Sequence, residues 1–452
     1  MKFVHCADVH LDSPLRGLSR YEGAPVVRLR RATRDAFDRL VQCAIEEKVA
    51  FVVIAGDLYD GDRDDFQTAM FLQRRLHVLR EQGIPVVIAY GNHDAANEIT
   101  KRLTLPDNVS VFPHDTAGQV ILEAAGAVLH GRSYATRAVA DDLSAGYLPP
   151  VDGALNVGVL HTSLDGRPGH DPYAPCTLEG LSRRGYSYWA LGHVHEREQH
   201  LVDGVHVVFP GNLQGRDVGE AGSKGVTIVE YEGDTVTKVA RRDLAPVRWE
   251  RCEVDLRDAE SVEQALERAV AELAELRACA STEPDDAFPA ELHAVRVVLR
   301  PSASVSREWL RHPERYETQL RADAGGGGDD LWLERIELRP PPSAGGREAV
   351  SGEAVAAVQD AFALLRGSRE HPGSSGGRAP GPLTSEPLVS GTEVVERWHA
   401  EIGEVVARVR RRFGRELEEA LRLGAGVLDV AGYDELLAEA EELLLAELEA
   451  GA

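Results

Sequence analysis

Short apolar runs alternate with amphipathic stretches through the first half of the chain. "KFVHCAD" at the start and "AFVVIAGD" from Ala50 are brief, apolar and rich in β-branched residues, as buried strands are. Between them Ala32, Phe37, Leu40, Val41, Ala44 and Ile45 recur near helical spacing and predict a helix over 27–48. A second helix is predicted over 66–82, with Met70, Phe71, Leu76 and Leu79 as its apolar stripe and Gly83 as its stop. "IPVVIAYGNHD" reads as the next buried strand. The resulting βαβαβ order predicts an α/β fold.

Beyond Pro113 the strands continue with fewer helices between them: "NVGVLHTS", "YSYWALGHVH", "VHVVFPGN" and "KGVTIVEYEGDTVTKVARR". The last carries a hairpin turn at Gly233-Asp234, so parallel and antiparallel pairing are both expected. "LAPVRWERCEVDL" marks a boundary, after which a small α+β module has a helix over 259–279 and strands at "HAVRVVLR" and "LWLERIEL". Its loop at Gly325–Gly328 is glycine only. Four regions are expected: a catalytic domain over 1–245, a capping module over 246–343, a linker over 344–390, and a helical C-terminal segment over 391–452. The linker is rich in Gly, Ser and Pro and is expected to be partly disordered, whereas the last segment places Leu436, Leu437, Leu443, Leu444, Leu445 and Leu448 among glutamates.

A length of 452 residues exceeds what one core usually serves, in keeping with several domains. The formal charge of −24 excludes a chain that clings to nucleic acid over its whole surface. It leaves room for a local basic groove. Arg28, Arg30, Arg31 and Arg34 cluster, as do Arg408, Arg410, Arg411, Arg412 and Arg415, and each cluster reads equally as a solvated helix face. The five cysteines are scattered and form no CxxC pair, so any metal here is expected on nitrogen and oxygen. No apolar run approaches the ~20 residues of a membrane span. The start lacks a signal-peptide pattern, and a cytoplasmic chain is expected.

The strands of the first region end on metal-competent residues: Asp8 and His10, Asp57 and Asp60, Asn92, His93 and Asp94, His161, and His193 and His195. Such strand ends form the ligand-binding edge of an α/β sheet. Residues two apart on a strand share a face, so Asp8 with His10, and His193 with His195, can converge on one ion or on an adjacent pair. Two divalent ions about 3.5–4 Å apart would clamp a phosphoryl group and activate water. Asp57, just after Gly56, is the natural carboxylate to bridge them. The mixture of Asp, Asn and His suits Mn²⁺, Fe²⁺ or Zn²⁺ better than Ca²⁺. Any one of these motifs alone reads more readily as a turn or a surface histidine; the ordered set points to metal.

That set, Asp8-x-His10, Gly56-Asp57-x-x-Asp60, Gly91-Asn92-His93-Asp94, His161 and Gly192-His193-x-His195, resembles the calcineurin-like metallophosphoesterases. The resemblance implies a two-sheet sandwich flanked by helices. It implies that Asp8, His10, Asp57 and His195 hold one metal, and that Asp57, Asn92, His161 and His193 hold the other. His93 would then stabilise the transition state or protonate the leaving oxygen, oriented by Asp60. "HCADVHLDSPL", "VVIAGDLYD", "YGNHD", "ALGHVHERE" and "FPGNLQGRDVGEAGSKGVTIVE" are similar to the SbcD-type DNA repair nucleases, within them the YhaO-like group. Gly61 follows Asp60, where serine/threonine phosphatases of the superfamily usually carry arginine.

The resemblance implies a DNA substrate, two divalent ions with Mn²⁺ foremost, and an SbcC-like coiled-coil ATPase partner for which the C-terminal helices are a docking candidate. A homodimer is compatible with it. Two competing readings stand beside it: a phosphodiesterase or phosphatase for a small nucleotide, and a non-catalytic regulatory subunit.

Overall fold

The computed structural model describes residues 1–13, 24–60, 66–96, 104–164, 173–280, 288–325 and 329–339. The expected linker over 344–390 and the helical segment over 391–452, with its leucines and second arginine cluster, lie outside the described residues. So do residues 326–328 of the glycine run.

Two six-stranded sheets build the first region. One runs β12 (Thr235–Asp243), β11 (Gly225–Glu232), β1 (Lys2–Cys6), β2 (Phe51–Ala55), β3 (Val86–Ala89), β4 (Val109–Val111). β1 to β4 are parallel, and the chain passes from β1 to β2 through α1 (Val26–Glu46) and from β2 to β3 through α2 (Phe66–Glu81). β11 pairs antiparallel with β1 and turns at Gly233 into β12. The other sheet runs β5 (Gly118–Leu122), β6 (Ala127–Gly131), β7 (Leu155–His161), β8 (Tyr188–Gly192), β10 (Val205–Phe209), β9 (Glu198–Val202). Its four inner strands are parallel and its two edges antiparallel.

β2 and β3 are buried at every residue because both faces of their sheet are covered, so they read as apolar runs without alternation. On one face Phe37 and Leu40 of α1 and Leu72 and Leu76 of α2 close the core. On the other, the second sheet packs: Phe3 stacks on Phe51 with ring centres 4.7 Å apart and meets the edge of Tyr188 at 5.3 Å. The expected stripe of α1 is buried except for the half-buried Ile45, whereas Met70 of α2 is exposed. It lies next to the buried Phe71, about 100° round the helix, which turns it off the apolar face. The outer face of the second sheet is covered by a five-residue helix, α4 (Leu178–Ser182, after α3 at Asn92–Ala96), and by Tyr134, Tyr147, Tyr186 and Trp189.

The module that follows has three strands, β13 (Val247–Leu256), β14 (Leu292–Pro301) and β15 (Leu331–Leu338), all parallel. α5 (Val262–Ala280) joins the first two. α6 (Ala303–Arg311) and α7 (Pro313–Gly325) join the last two, and the sequence pattern had announced neither. Their start signals were local: the Ser302 hydroxyl caps α6 by accepting from the Val305 N–H, and Pro313 opens α7.

α1 ties this module to the first region. Arg39 donates to the Pro289 carbonyl at 3.0 Å and pairs with Glu291 at 2.5 Å, and Arg28 donates to the Glu291 and Asp329 carbonyls. Leu29 and Ala32 pack with Val247, Trp249 and Trp332. Arg34 grips Asp12 through two nitrogens, and Arg31 lies 3.7 Å from Asp35. Arg28 and Arg34 are therefore engaged within the chain, whereas Arg30 and Arg31 lie exposed on the helix surface.

Phe3→Ala is expected to destabilise the chain by ~3–5 kcal/mol, because it empties the core between the sheets. Met70→Ala should stay within about 0.5 kcal/mol. Urea unfolding of the two variants checks the contrast.

Candidate metal centre

The parallel strands of both sheets end on the same side, and the predicted residues meet there. Asp8, His10 and His195 form one group whose donor atoms lie within 4.8 Å of one another. Asp57, His161 and His193 form a second, and His10, Asp60 and His93 a third. Asp57 Oδ2 stands between the first two, 3.9 Å from His10 Nε2 and 3.3 Å from His161 Nε2. Asn92 joins the second group, its Oδ1 2.9 Å from His161 Nε2. His93 lies at the edge, its Nδ1 3.3 Å from Asp60 Oδ1, while its backbone N–H donates to Asp57 Oδ1. Asp94 belongs to none of these groups. Its carboxylate accepts from the backbone N–H groups of Leu58, Tyr59 and Gly91 and so pins two of the loops together.

The backbone is bent to bring these side chains in. Asp8, His10, Asp57 and His193 have φ of +49°, +45°, +52° and +98°, the left-handed region that costs ordinary residues about 1–3 kcal/mol each. Ladder-like bonds hold the bends: Asp8 N–H to the Gly56 carbonyl and His10 N–H to the Asp57 carbonyl, both at 3.0 Å. Glycine makes room for the imidazole of His161. A methyl at Gly192 would sit 1.9 Å from the Ala55 carbonyl oxygen, and one at Gly56, itself at φ +97°, 2.3 Å from His161 Nδ1. The glycines before Asp57 and His193 are thus steric requirements of the site.

Hydrogen bonding fixes which ring nitrogens face inward. His161 Nδ1 is 3.0 Å from the Ala55 carbonyl, which only accepts, so Nδ1 carries the proton. Its Nε2 is directed at Asn92 Oδ1 and Asp57 Oδ2, an acceptor cluster that needs a proton or a cation at its centre. His195 Nδ1 donates to Glu220 Oε1 at 2.7 Å, which turns its Nε2 toward His10 Nε2, 3.1 Å away, and Asp8 Oδ1, 3.9 Å away. The buried Nδ1 of His10 has no hydrogen-bond partner among the described residues.

The electrostatics have the same sense. Burial pushes the Asp8 carboxyl up to about 6, and burial together with the Asp57 charge raises Asp94 to about 7. Burial penalises a charged His161, yet the Asp57 carboxylate outweighs that and raises it to about 9. Burial pulls His10 down to about 3, keeping its ring neutral. The Asp60 carboxylate beside Nδ1 favours a proton on His93 and raises it. A buried set of carboxylate, amide and imidazole donors, short of positive charge and with inward lone pairs, fits two divalent cations.

Several residues at the site carried no sequence signal of a role. Glu220 orients His195, Arg216 and Asn212 bind Glu220, Lys224 donates to the His195 carbonyl at 2.7 Å, and the Tyr134 hydroxyl donates to the His161 carbonyl at 2.9 Å. Glu220 and Arg216 sit in "GRDVGEAGSKG", where nothing but proximity in space distinguishes them from surface charge.

Residues 1–197 match the family model described as calcineurin-like phosphoesterase, and residues 249–340 match that of the middle domain of metallophosphoesterase YhaO. The chain carries a calcineurin-like metallophosphoesterase domain followed by a YhaO-type middle domain. Among curated proteins it is 33% identical over 265 residues to the "Uncharacterized metallophosphoesterase YhaO" of Bacillus subtilis (strain 168), covering 58% of this chain and 65% of that one. It is 27% identical over 272 residues to the "DNA double-strand break repair protein Mre11" of Haloferax volcanii, covering 59% and 57%. The protein of the same name from Methanopyrus kandleri is 26% identical over 280 residues, covering 56% and 58%. The chain spans less than two thirds of the length of each of these relatives. No helix among the described residues is long and apolar enough to cross a membrane.

Gly192→Ala is expected to abolish divalent-metal binding, because the methyl must displace the Ala55 backbone or His161. Equilibrium dialysis against Mn²⁺ measures it; a variant that binds like the parent chain would contradict the steric argument.

Proposed function

We propose that this chain is a two-metal phosphodiesterase that cleaves DNA. The observation that carries the reading is the pair of donor groups, Asp8/His10/His195 and Asp57/His161/His193, with the Asp57 carboxylate between them. On this reading Asp8, His10, Asp57 and His195 hold one ion, and Asp57, Asn92, His161 and His193 hold the other. Two such ions would supply charge stabilisation for the phosphoryl oxygens and a more acidic water. Mn²⁺ is the favoured metal, with Fe²⁺ or Zn²⁺ as substitutes for the same donors.

The chain's own residues do the rest. His93 reaches the edge of the site with a quarter of its side chain exposed, close enough to meet a leaving oxygen. Asp60 holds the His93 ring from the Nδ1 side and is itself fixed by the Ser13 hydroxyl at 2.5 Å. Nε2 of His93 is then the atom that delivers the proton to the departing 3′ or 5′ oxygen. The buried walls around Asp8 and His161 limit bulk water to the side from which a phosphodiester would enter.

DNA as substrate is supported by the relatives named as DNA double-strand break repair proteins and by the similarity to SbcD-type nucleases. In that setting an SbcC-like coiled-coil ATPase is the expected partner, with residues 391–452 as a docking candidate and a homodimer as a compatible assembly. A second reading, hydrolysis of a small nucleotide, is favoured by one observation: Arg28 and Arg34 are engaged internally on a chain of charge −24.

The test is hydrolysis by the purified chain with and without Mn²⁺, on free-ended DNA, end-blocked DNA and a cyclic dinucleotide. Cleavage of DNA is expected; cleavage of the dinucleotide alone would favour the second reading. His93→Ala should keep its metal and lose roughly 10²–10⁴ in turnover. Asp57→Asn should lose both metal and turnover. Full DNA cleavage by His93→Ala would refute the role given to that ring.

A further inference from the structure

We infer that Glu220 is the positioning residue for His195, and that Arg216 yokes it to Asp60, so that one ion-pair chain sets both the metal-facing histidine and His93. This rests on the two-metal reading above.

Glu220 lies at the end of a short 3₁₀ turn, Val218–Glu220, between β10 and β11, with its side chain 14% exposed. Every strong bond to its carboxylate comes from the site or from its own loop. Oε1 accepts from His195 Nδ1 at 2.7 Å and from Arg216 Nη2 at 2.6 Å. Oε2 accepts from Asn212 Nδ2 and from the Arg216 backbone N–H, both at 2.8 Å. Such a carboxylate behind an imidazole holds the ring in one tautomer and one orientation, with the other nitrogen free for a ligand. Here that nitrogen is Nε2, directed at His10 and Asp8.

Arg216 extends the arrangement. Its Nη1 lies 3.9 Å from Asp60 Oδ2, and Asp60 Oδ1 is 3.3 Å from His93 Nδ1. Hydrogen bonds join His195, Glu220 and Arg216, and ion-pair distances carry the order on to Asp60 and His93. The Arg216 guanidinium stands between the Glu220 and Asp60 carboxylates and is the counter-ion of both.

The loop that bears Glu220 is held from outside the catalytic sheets. The Trp249 indole N–H donates to the Gly215 carbonyl at 2.9 Å, Gln214 Nε2 donates to the Val247 carbonyl at 2.7 Å, and the Gly222 N–H donates to the Trp249 carbonyl at 2.8 Å. The first strand of the middle domain is therefore the brace on which the orientation of His195 depends.

The experiment is Mn²⁺ titration by calorimetry of the full chain and of Glu220→Gln and Glu220→Ala, with thermal melting of each in EDTA. Glu220→Gln should weaken the affinity of one ion by about 10–100-fold, the range seen when outer partners of metal-ligating histidines are lost. Glu220→Ala should weaken it further, and the second ion should bind as in the parent chain. Melting in EDTA should hardly change for Glu220→Gln, which separates positioning from a structural role. Unchanged Mn²⁺ affinity in both variants would overturn the inference. A parent chain that binds no divalent ion would instead overturn the two-metal reading on which it rests.

Discussion

The structure turns on a carboxylate kept where water cannot reach it. Asp57 sits at the end of a fully buried strand, one oxygen on the His93 backbone and the other between His10 and His161. An isolated buried carboxylate is prohibitively costly, and this one is tolerated because imidazoles surround it. Burial alone would raise its proton affinity, yet the charge and hydrogen bond of His161 hold it well below the usual carboxylate range. Three neighbouring loops must therefore arrive with their nitrogens aimed at one point, and the two sheets are what bring them there.

Rigidity follows from that demand. The strained residues of the site are the ones that bear the donors, and each is fixed by bonds to another loop rather than by its own turn. Asp94 shows the economy of this design. Its oxygens accept from three backbone N–H groups, and by tying Gly91 to Leu58 and Tyr59 it holds the Asn92 loop against the Asp57 loop.

Much of this was legible in the amino-acid order. The apolar runs leading to Asp8, Asp57, Asn92, His161 and His193 announce buried parallel strands with a polar edge, and the described strands end at His161 or one to three residues before the others. The spacing of α1 and α2 was equally plain, because a helix against a sheet must present a stripe. The edge strands β5 and β9 were not, since none of their residues is buried, half-buried and exposed positions merely alternating, and their role is set by neighbours. α6 was obscured for a different reason: its apolar residues are few, and only the Ser302 cap announces it. Glu220 and Arg216 illustrate the deeper limit. A charged residue in a glycine-rich loop acquires its meaning from what lies across space, here His195, twenty-five positions earlier.

The brace by Trp249 has a consequence in time. β1 lies inside its sheet, between β2 and β11, and the N-terminal amine itself donates to the Tyr231 carbonyl at 2.7 Å. Asp8, Asp57 and Asn92 leave the ribosome long before β11 and β13, which close the sheet and hold the loop behind His195. Such closure over long stretches of chain is slow compared with local folding. The growing polypeptide thus completes the support behind His195 only once the middle domain has begun to form, and a chain cut short before Val247 would carry all the donors without the strand that braces the Glu220 loop.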